Sequence, residues 1–349
     1  MNSVLQEKVE GLIREAGHVL LLTDERIDGD TTGSTLGLYH VLKDLGKQVT
    51  VFSPKPMPPQ LEFIPGVEVI RRDEAMFADG SIDLAIICDC SDGVYIQKFL
   101  PGMKRRVPLV VFDHHATNPM YGTVNIVEPK AASSADVVWR FIKAAKYPVS
   151  PNAAQCILTG ICTDTGLFST SNTTLQAITA SSELIRLGAN LTTIVRHVFI
   201  NKSAGALKLW GVALERLFFD DTLKMLTTVI TKQDLESTKT TIEDIAGVSN
   251  FLNAMLENAY DAVTVLYETD DGAVKGSMRS RSRDVAKQAA DLFGGGGHKL
   301  AAGFKVMNST LQKQGEKWAI VKKFDSPVAP TLKEGESPKA LTEIKNVIH

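Results

Sequence analysis

Acidic and imidazole side chains directly follow an apolar run near residue 110 of this sequence. The run Leu109–Phe112 ends in Asp113, His114 and His115, which include two of the chain's seven His residues. A Val-rich run of this length is typical of a buried strand, and open α/β sheets keep their sites beyond the carboxyl ends of their strands. One His at such a position is commonly a capping or surface residue, but Asp-His-His together favours a functional site.

Carboxylates also stand at three other predicted strand or helix ends in the first half of the chain. They are Asp24, Asp28 and Asp30 after the run His18–Thr23, Asp89 after Asp83–Cys88, and Asp164 after a helix over 152–162. Each alone is usually a turn former or a helix cap. If they meet at one sheet edge, buried carboxylates repel one another and lose solvation. A divalent cation removes both problems.

The types of these side chains indicate which ions would bind. Asp and His without Cys suit Mn²⁺, Mg²⁺ or Fe²⁺ better than a thiolate zinc site. Their number exceeds what one cation needs. We therefore expect two cations about 3.5–4 Å apart that share one carboxylate, an arrangement that activates water and binds a phosphoryl group.

Two stretches in the second half of the chain could bind an anion. Gly294–Gly297, followed by His298 and Lys299, would let backbone N–H groups approach a phosphate, and a following helix start would add its dipole. In a strand over Ser277–Arg283, alternation would point its three arginines to one face as a phosphate clamp. The alternatives are a glycine linker and a solvated edge strand.

The elements that must position these residues alternate between strand and helix. The predicted elements are a helix over 4–15, strands over His18–Thr23, Gln48–Phe52, Asp83–Cys88 and Leu109–Phe112, and helices that end near 45, near 142 and at 162, with two or three more from 174 to 217. This alternation predicts an α/β fold with a mostly parallel sheet.

The pattern changes after Phe219 and indicates a smaller α/β domain. It has predicted strands over Met225–Ile230, Ala262–Glu268 and Ala273–Arg279, a hairpin turn at Asp270–Gly272, and helices over 243–257 and 284–292. The predicted organisation is therefore a metal-binding domain over 1–189, a helical connector over 190–217, a substrate-binding domain over 218–325 and a loosely ordered tail over 326–349, with a last helix at 339–348. We expect the active site in the cleft between the two domains.

Composition limits the classes of function. The 349 residues are 44% hydrophobic, ample for two cores. Since 38 Lys and Arg face 40 Asp and Glu, no global basic field favours binding of a long duplex. The four Cys form no CxxC pair and read as core thiols. Without a signal peptide or an apolar run of about 18 residues, we expect a cytoplasmic protein with no membrane partner.

Several motifs occur in an order that resembles a known family. They are Asp28-Gly29-Asp30 with Gly33-Ser34, Cys88-Asp89, Asp113-His114-His115 with Asn118, Gly160–Gly166 with Phe168, Ser277–Ser280, and Gly294–His298 with Ala301–Gly303. The chain thereby resembles, over about residues 10–310, the DHH-family phosphoesterases with a DHH-associated second domain. It is most similar to their oligoribonuclease (nanoRNase) and pAp-phosphatase group.

The resemblance implies a role for each residue. It implies a site for two divalent cations, most often Mn²⁺. One cation would be held by position 24, Asp28 and Asp89, and the other by Asp30, Asp89, His114 and Asp164. It makes His115 catalytic at the scissile phosphate, with Asp113 orienting an imidazole. The substrate-binding residues that it implies are Asn118, Arg279, Ser280, Arg281, Gly295, Gly296, Gly297 and His298. The implied substrate is very short RNA, two to five nucleotides long, or pAp, and a homodimer is left open.

One departure from the family keeps other functions open. The first motif of this group usually opens with His, where this chain has Asp24, which adds negative charge at the first cation and favours a harder ion. The alternatives are a phosphodiesterase for linear or cyclic dinucleotides and a non-catalytic nucleotide-binding protein with a weakened metal site. A family II inorganic pyrophosphatase would share the first domain, but the run Gly294–His298 argues against it.

Overall fold

The structure is a computed structural model that describes residues 2–25, 27–200, 202–220, 223–245, 247–255, 260–315 and 317–323, apart from the side chains of Leu100 and His298. The chain divides into two compact units between residues 201 and 202. The predicted tail over 326–349 and its last helix lie outside the described residues. No helix in the described ranges is long and apolar enough to cross a membrane.

The first unit is a parallel α/β sheet with helices. Its strands are β1 (His18–Leu22), β2 (Gln48–Phe52), β3 (Ile70–Arg71), β4 (Leu84–Cys88), β5 (Leu109–Asp113) and β6 (Val124–Val127). Its helices are α1 (Ser3–Glu15), α2 (Gly29–Asp44), α3 (Gly93–Gln97), α4 (Ser134–Ala144), α5 (Pro151–Asp164), α6 (Leu175–Arg186) and α7 (Leu191–Ile194), which continues as a π-helix over Val195–Ile200. The strand order is β3-β2-β1-β4-β5-β6 and every pairing is parallel, which confirms the predicted sheet.

Strand order explains why the predicted site residues converge. All residues of β1, β4 and β5 are buried, as their apolar sequences predict. These strands are direct neighbours and parallel, so the segments after Leu22, Cys88 and Asp113 leave the sheet at one edge. The chain also reverses its direction of winding between β1 and β4, the place where open α/β sheets bind ligands.

Helices α2 and α5 pack with their backbones in close approach. A Cβ built on Gly33 of α2 would lie 2.4 Å from the Cys156 carbonyl oxygen and 2.7 Å from the Gly160 nitrogen of α5. A Cβ on Gly160 would lie 2.5 Å from the Ala135 side chain and 3.0 Å from an Asp30 carboxylate oxygen. The glycines therefore allow the first turn of α2 to lie against α5 and the start of α4.

The second unit combines a mixed sheet with a hairpin. Its elements are α8 (Ala204–Glu215), β7 (Phe218–Asp220), β8 (Met225–Ile230), α9 (Lys232–Thr238), α10 (Val248–Met255), β9 (Ala262–Glu268), β10 (Val274–Ser280), α11 (Val285–Phe293), β11 (Gly296–His298), β12 (Ala301–Val306), β13 (Ser309–Gln314) and β14 (Lys317–Lys322). The sheet order is β11-β12-β10-β9-β8-β7, with β8 and β9 parallel and the other pairs antiparallel. The three predicted strands and the turn at Asp270–Gly272 are confirmed.

Three features of the second half differ from the predictions. The segment 190–217 is helical, but Leu209 and Ala213 of α8 pack with Ile230 in the core of the second unit, so α8 belongs to that unit. The glycine run leads into β11 and β12 instead of a helix, so the predicted helix dipole at this loop is wrong. β10 ends at Ser280, which leaves Arg281 and Arg283 outside the strand, so the predicted row of three arginines on one face is also wrong.

We expect Gly33→Ala to destabilise the first unit by about 2 kcal/mol, because overpacking a close backbone contact outweighs the better helix propensity of Ala. The matched control is Gly211→Ala in α8, where a Cβ would meet no atom within 4 Å. That variant should instead be stabilised by about 0.5–1 kcal/mol. Urea unfolding followed by circular dichroism measures both, and equal behaviour of the two variants would contradict the close packing of α2 on α5.

Candidate metal centre and substrate-binding residues

Four of the six predicted ligands, together with the predicted catalytic residue His115, form two groups that could each hold a cation. Asp89, His114 and His115 form one group, and Asp30, His114 and Asp164 form the other. Within each group the ligand atoms lie within 4.8 Å of one another. The Nε2 atom of His114 lies 3.9 Å from Asp89 Oδ1 and 3.7 Å from Asp164 Oδ2, so His114 joins the two groups.

Each ligand comes from the end of an element at the same sheet edge. Asp89 follows β4 and has a φ of 60°, in the left-handed region that few residues other than Gly adopt. His114 and His115 follow β5, Asp30 stands in the first turn of α2, and Asp164 is the last residue of α5. The parallel sheet and the two helix ends therefore bring together residues that are far apart in the chain.

Asp113 orients His115 instead of joining either group. The carboxylate of Asp113 is fully buried, and its Oδ1 accepts a hydrogen bond from His115 Nδ1 at 2.7 Å. Its Oδ2 accepts a bond from Asn118 Nδ2 at 2.6 Å. Burial raises the pKa of Asp113, but the hydrogen bonds from His115 and Asn118 outweigh it and leave the pKa below the usual range. Asp113 thus remains a carboxylate and fixes the ring of His115.

Asn118, predicted to bind substrate, has its amide engaged within the protein. Besides Asp113, its Nδ2 donates to the Cys90 carbonyl at 3.0 Å, and its Oδ1 accepts from the Met120 N–H at 2.8 Å. These bonds tie the loop after β5 to the loop after β4. The contacts favour a positioning role for Asn118, and substrate binding by its side chain stays a prediction.

The cluster concentrates negative charge out of water. Burial, followed by repulsion from neighbouring carboxylates, raises the pKa of Asp30 and Asp89 well above their usual range. The same two causes, burial first and then the charge of Asp28, raise the pKa of Asp164 to about 7. A divalent cation would neutralise this repulsion, and oxygen and imidazole donors suit Mn²⁺, Mg²⁺ or Fe²⁺. The residues present therefore fit a divalent metal centre.

The two adjacent histidines have opposite properties. Burial, with the charge of His115, lowers the pKa of His114 to about 4, which keeps this imidazole neutral as a metal ligand must be. The hydrogen bond to Asp113 raises the pKa of His115 to about 9. The sequence pair His-His therefore provides one neutral ligand and one ring that is held as a hydrogen-bond donor.

Asp24 and Asp28 lie outside both groups. Asp28 is exposed and caps α2, where its Oδ1 accepts bonds from the N–H groups of Asp30 and Thr31 at 3.0 and 2.9 Å. Asp24 is buried, and its Oδ1 accepts from the Glu25 N–H at 2.5 Å. Burial and then the charge of Asp24 raise the pKa of Cys90 to about 12. Asp28 is nevertheless close enough to Asp89 and Asp164 for its charge to raise the pKa of both, and the cation site of Asp24, Asp28 and Asp89 stays a prediction.

Four residues that contact the cluster were not predicted as site residues. The N–H groups of Ser134 and Ala135 donate to the two Asp30 oxygens at 2.6 and 2.8 Å. Thr31 Oγ1 donates to Asp89 Oδ2 at 2.7 Å, and Asn172 Nδ2 donates to Asp164 Oδ2 at 3.1 Å. The sequence identified Ser134 only as part of a helix cap. No local pattern distinguishes Thr31 or Asn172 from ordinary helix and loop residues.

In the second unit Arg279 is a cation suited to bind an anion. It is half-buried on β10, where its Nε donates to Asn250 Oδ1 at 2.7 Å and its Nη1 to the Met278 carbonyl at 2.9 Å. Among the described residues no carboxylate forms an ion pair with Arg279. Burial lowers the pKa of the Arg279 guanidinium. A partly desolvated guanidinium without a counter-ion favours an anionic ligand. Asn250, which orients it, has no signal in the sequence.

The neighbours of Arg279 have internal partners. The Ser280 hydroxyl donates to the Asp261 carbonyl at 2.9 Å and accepts from the Arg283 N–H at 2.7 Å. The Arg283 guanidinium pairs with Asp261 Oδ1 at 2.6 Å, so it stabilises the turn after β10. Arg281 is exposed, and its Nη2 donates to the Ala254 carbonyl at 3.4 Å. Substrate binding by Ser280 and Arg281 remains a prediction.

The glycine run permits close strand packing. A Cβ on Gly295 would lie 2.3 Å from the Gly303 carbonyl oxygen, and one on Gly297, whose φ is 146°, would lie 2.5 Å from the Ala301 carbonyl oxygen. Gly296 is exposed, and a Cβ there would meet no atom within 4 Å. The backbone of His298 pairs with Ala301 across β11 and β12. Phosphate binding by Gly295, Gly296, Gly297 and His298 stays a prediction.

Comparisons with known proteins match two family domains to this chain. Residues 18–161 match the DHH family, N-terminal domain, and residues 227–326 match the DHHA1 domain. The chain is 28% identical over 306 residues to the bifunctional oligoribonuclease and PAP phosphatase NrnA of Thermus thermophilus, which covers 86% of this chain and 88% of the relative. The protein of the same name from Bacillus subtilis is 24% identical over 293 residues, or 82% and 89% of the two chains.

A solved structure shares the fold over most of its length. The crystal structure of an exopolyphosphatase-related protein from Bacteroides fragilis matches with a TM-score of 0.81 and 25% sequence identity. The match covers 87% of this chain and 92% of that one. The order and spacing of the elements described above are therefore those of a known architecture.

We expect Mn²⁺ to stabilise the chelator-treated protein, because a ligand that binds only the native state adds about 2.7 kcal/mol at 100 times its Kd. Asp89→Asn removes one of the repelling charges, so it should raise the unfolding midpoint of the metal-free protein and reduce the Mn²⁺-induced shift to near zero. Asp44→Asn makes the same chemical change at the exposed end of α2 and should leave the shift intact. Differential scanning calorimetry measures both, and a full Mn²⁺ shift in Asp89→Asn would exclude Asp89 as a ligand.

Proposed function

Because the chain belongs to the DHH family and is a hydrolase of phosphate esters, we propose that it hydrolyses very short RNA oligomers, two to five nucleotides long, to nucleoside monophosphates. We propose that it also removes the 3′-phosphate of pAp. The observation that carries the proposal is the meeting of Asp30, Asp89, His114 and Asp164 at one sheet edge. The relatives that match most of this chain are named oligoribonuclease and PAP phosphatase.

The proposed site holds two divalent cations, with Mn²⁺ as the first choice and Mg²⁺ or Fe²⁺ as alternatives. Asp30, Asp89, His114 and Asp164 would hold one, and Asp24, Asp28 and Asp89 would hold the other. The cations would neutralise charge on the phosphoryl oxygens and lower the pKa of water. The ligand atoms of Asp30, His114 and Asp164, which lie within 4.8 Å of one another, and the neutral imidazole of His114 support the site that contains these three residues.

In this proposal His115 acts on the substrate and Asp113 positions it. The 2.7 Å bond from Nδ1 to Asp113 fixes the orientation of the ring, and we assign its Nε2 the role of donor to a phosphate or a leaving oxygen. The fixed ring orientation reduces the loss of freedom when substrate binds. Substitution of Asp113 would therefore act through His115.

The second unit supplies recognition of the substrate's terminal phosphate. We assign this role to Arg279 with Ser280, Arg281, Gly295, Gly296, Gly297 and His298. The support is the partly buried Arg279 guanidinium, which Asn250 holds by Nε and which has no carboxylate partner in the described part of the chain. Recognition of a terminal phosphate directs cleavage to the end of an oligomer, so internal phosphodiester bonds of a long RNA would not be bound.

We expect the parent protein, reloaded with Mn²⁺, to convert the 5′-phosphorylated dinucleotide pApA to AMP. Asp89→Asn should lower kcat by about 10³-fold or more, since it removes a carboxylate shared by both proposed cations. Asp44→Asn should keep parental activity. Chromatography of the products decides the result, and a parent that cleaves neither pApA, longer oligomers nor pAp would contradict the proposed function.

The position of Asp24 outside both ligand groups supports a second candidate, a nucleotide-binding protein with a weakened metal site. The variant Asp24→His restores the residue type usual for the family and discriminates between the two. If the parent turns over pApA, Asp24 is compatible with a working metal site and the binding protein is excluded. A silent parent with an active Asp24→His variant would instead establish the binding protein.

We expect Arg279→Ala to lower kcat/KM for pApA by about 100-fold, because a partly buried guanidinium forms bidentate bonds to phosphate. The same variant should change kcat/KM for ApA, which lacks the terminal phosphate, by less than about threefold. Lys275→Ala, an exposed residue of the same strand, is the control and should change neither value. An equal loss with both substrates would contradict terminal-phosphate recognition by Arg279.

A further inference from the structure

Ser134 contacts carboxylates of both ligand groups. It is the first residue of α4 and is fully buried. Its N–H donates to Asp30 Oδ2 at 2.6 Å, and its hydroxyl donates to Asp89 Oδ1 at 2.9 Å. Asp30 and Asp89 belong to different groups. A single residue therefore fixes the relative position of a carboxylate from each.

Asp89 is held by a hydroxyl on each of its two oxygens. Thr31 Oγ1 donates to Oδ2 at 2.7 Å while Ser134 donates to Oδ1. A carboxylate oxygen has two lone pairs, so each hydroxyl leaves one free for a cation. The backbone of Asp89 has a φ of 60°, which a non-Gly residue keeps only when its surroundings enforce it. The two hydroxyls are part of those surroundings.

We propose that Ser134 is a positioning residue that orients Asp89 as the carboxylate shared by the two cations. The inference rests on the metal site of the proposed function and deepens it. Ser134 does not touch the substrate or bind a cation itself. It acts through Asp89, by its hydroxyl, and through Asp30, by its backbone N–H, so its side chain determines cation affinity.

The neighbouring Ser133 has a different role and provides a matched control. Its hydroxyl accepts a bond from the Asp136 N–H at 3.0 Å and so caps α4. Loss of this cap destabilises the helix, but among its described contacts none is to a carboxylate of the two ligand groups. Two adjacent serines at the start of one helix thus separate the stability of α4 from the orientation of Asp89.

The test is isothermal titration of the chelator-treated full chain with MnCl₂, combined with thermal unfolding of the same samples. Ser134→Ala should weaken Mn²⁺ binding about 10-fold, the lower end of the range for residues that orient metal ligands. Ser133→Ala should lower the unfolding midpoint and leave Mn²⁺ affinity at the parental value. Thr31→Val, which removes the second hydroxyl at nearly constant shape, should weaken Mn²⁺ binding in the same way as Ser134→Ala.

Parental Mn²⁺ affinity in Ser134→Ala would overturn the proposal, as would equal losses in Ser134→Ala and Ser133→Ala. A parent that binds no Mn²⁺ would overturn it too. The titration contains no nucleotide, so a parent that binds Mn²⁺ without cleaving RNA or pAp contradicts the substrate assignment only. In that case a selective loss of affinity in Ser134→Ala still supports the role of Ser134.

Discussion

Repulsion among buried carboxylates is the constraint on which the first unit depends. Asp30 and Asp89 are buried and Asp164 is half-buried, and loss of solvation, followed by the negative charges of the cluster, raises the pKa of each. The fold offsets part of this cost with donors from three elements. The start of α4 gives two N–H groups to Asp30, α2 gives the Thr31 hydroxyl to Asp89, and the loop after α5 gives the Asn172 amide to Asp164. The two N–H groups of α4 reach Asp30 because Gly160 leaves room for Ala135 and Asp30 beside α5.

The sequence predicted the parallel sheet and most of the acidic cluster for a clear physical reason. Strands β1, β4 and β5 are buried along their whole length, so their sequences are mostly apolar, and Asp89 directly follows β4 while His114 directly follows β5. The donors that hold the ligands could not be predicted, because Ser134 meets Asp89 45 residues away in sequence and Asn250 meets Arg279 29 residues away. Such contacts depend on how elements pack and leave no local pattern.

Both wrong predictions for the second unit concern where a strand begins or ends, which the local sequence does not show. Four consecutive glycines allow many backbone conformations, so the sequence could not tell whether a helix or a strand would follow. In the structure Gly295 and Gly297 serve the tight approach of backbones around β11 and β12. The arginine-serine alternation after Ser277 likewise continues past the end of β10, where Arg283 pairs with Asp261. Alternation indicates a common face only as long as the strand continues.

Two adjacent histidines show how the surroundings, and not the residue type, assign chemical roles. His114 and His115 share a backbone segment after β5, but only His115 reaches the Asp113 carboxylate, at 2.7 Å. That bond favours the protonated ring, whereas burial without such a partner keeps His114 neutral. A His that binds a metal must be neutral, and a His that donates to phosphate must carry a proton on the donating nitrogen. Because Asp113 is itself fixed by Asn118, which also binds the Cys90 carbonyl beside Asp89, the two roles are set by one network that spans the loops after β4 and β5.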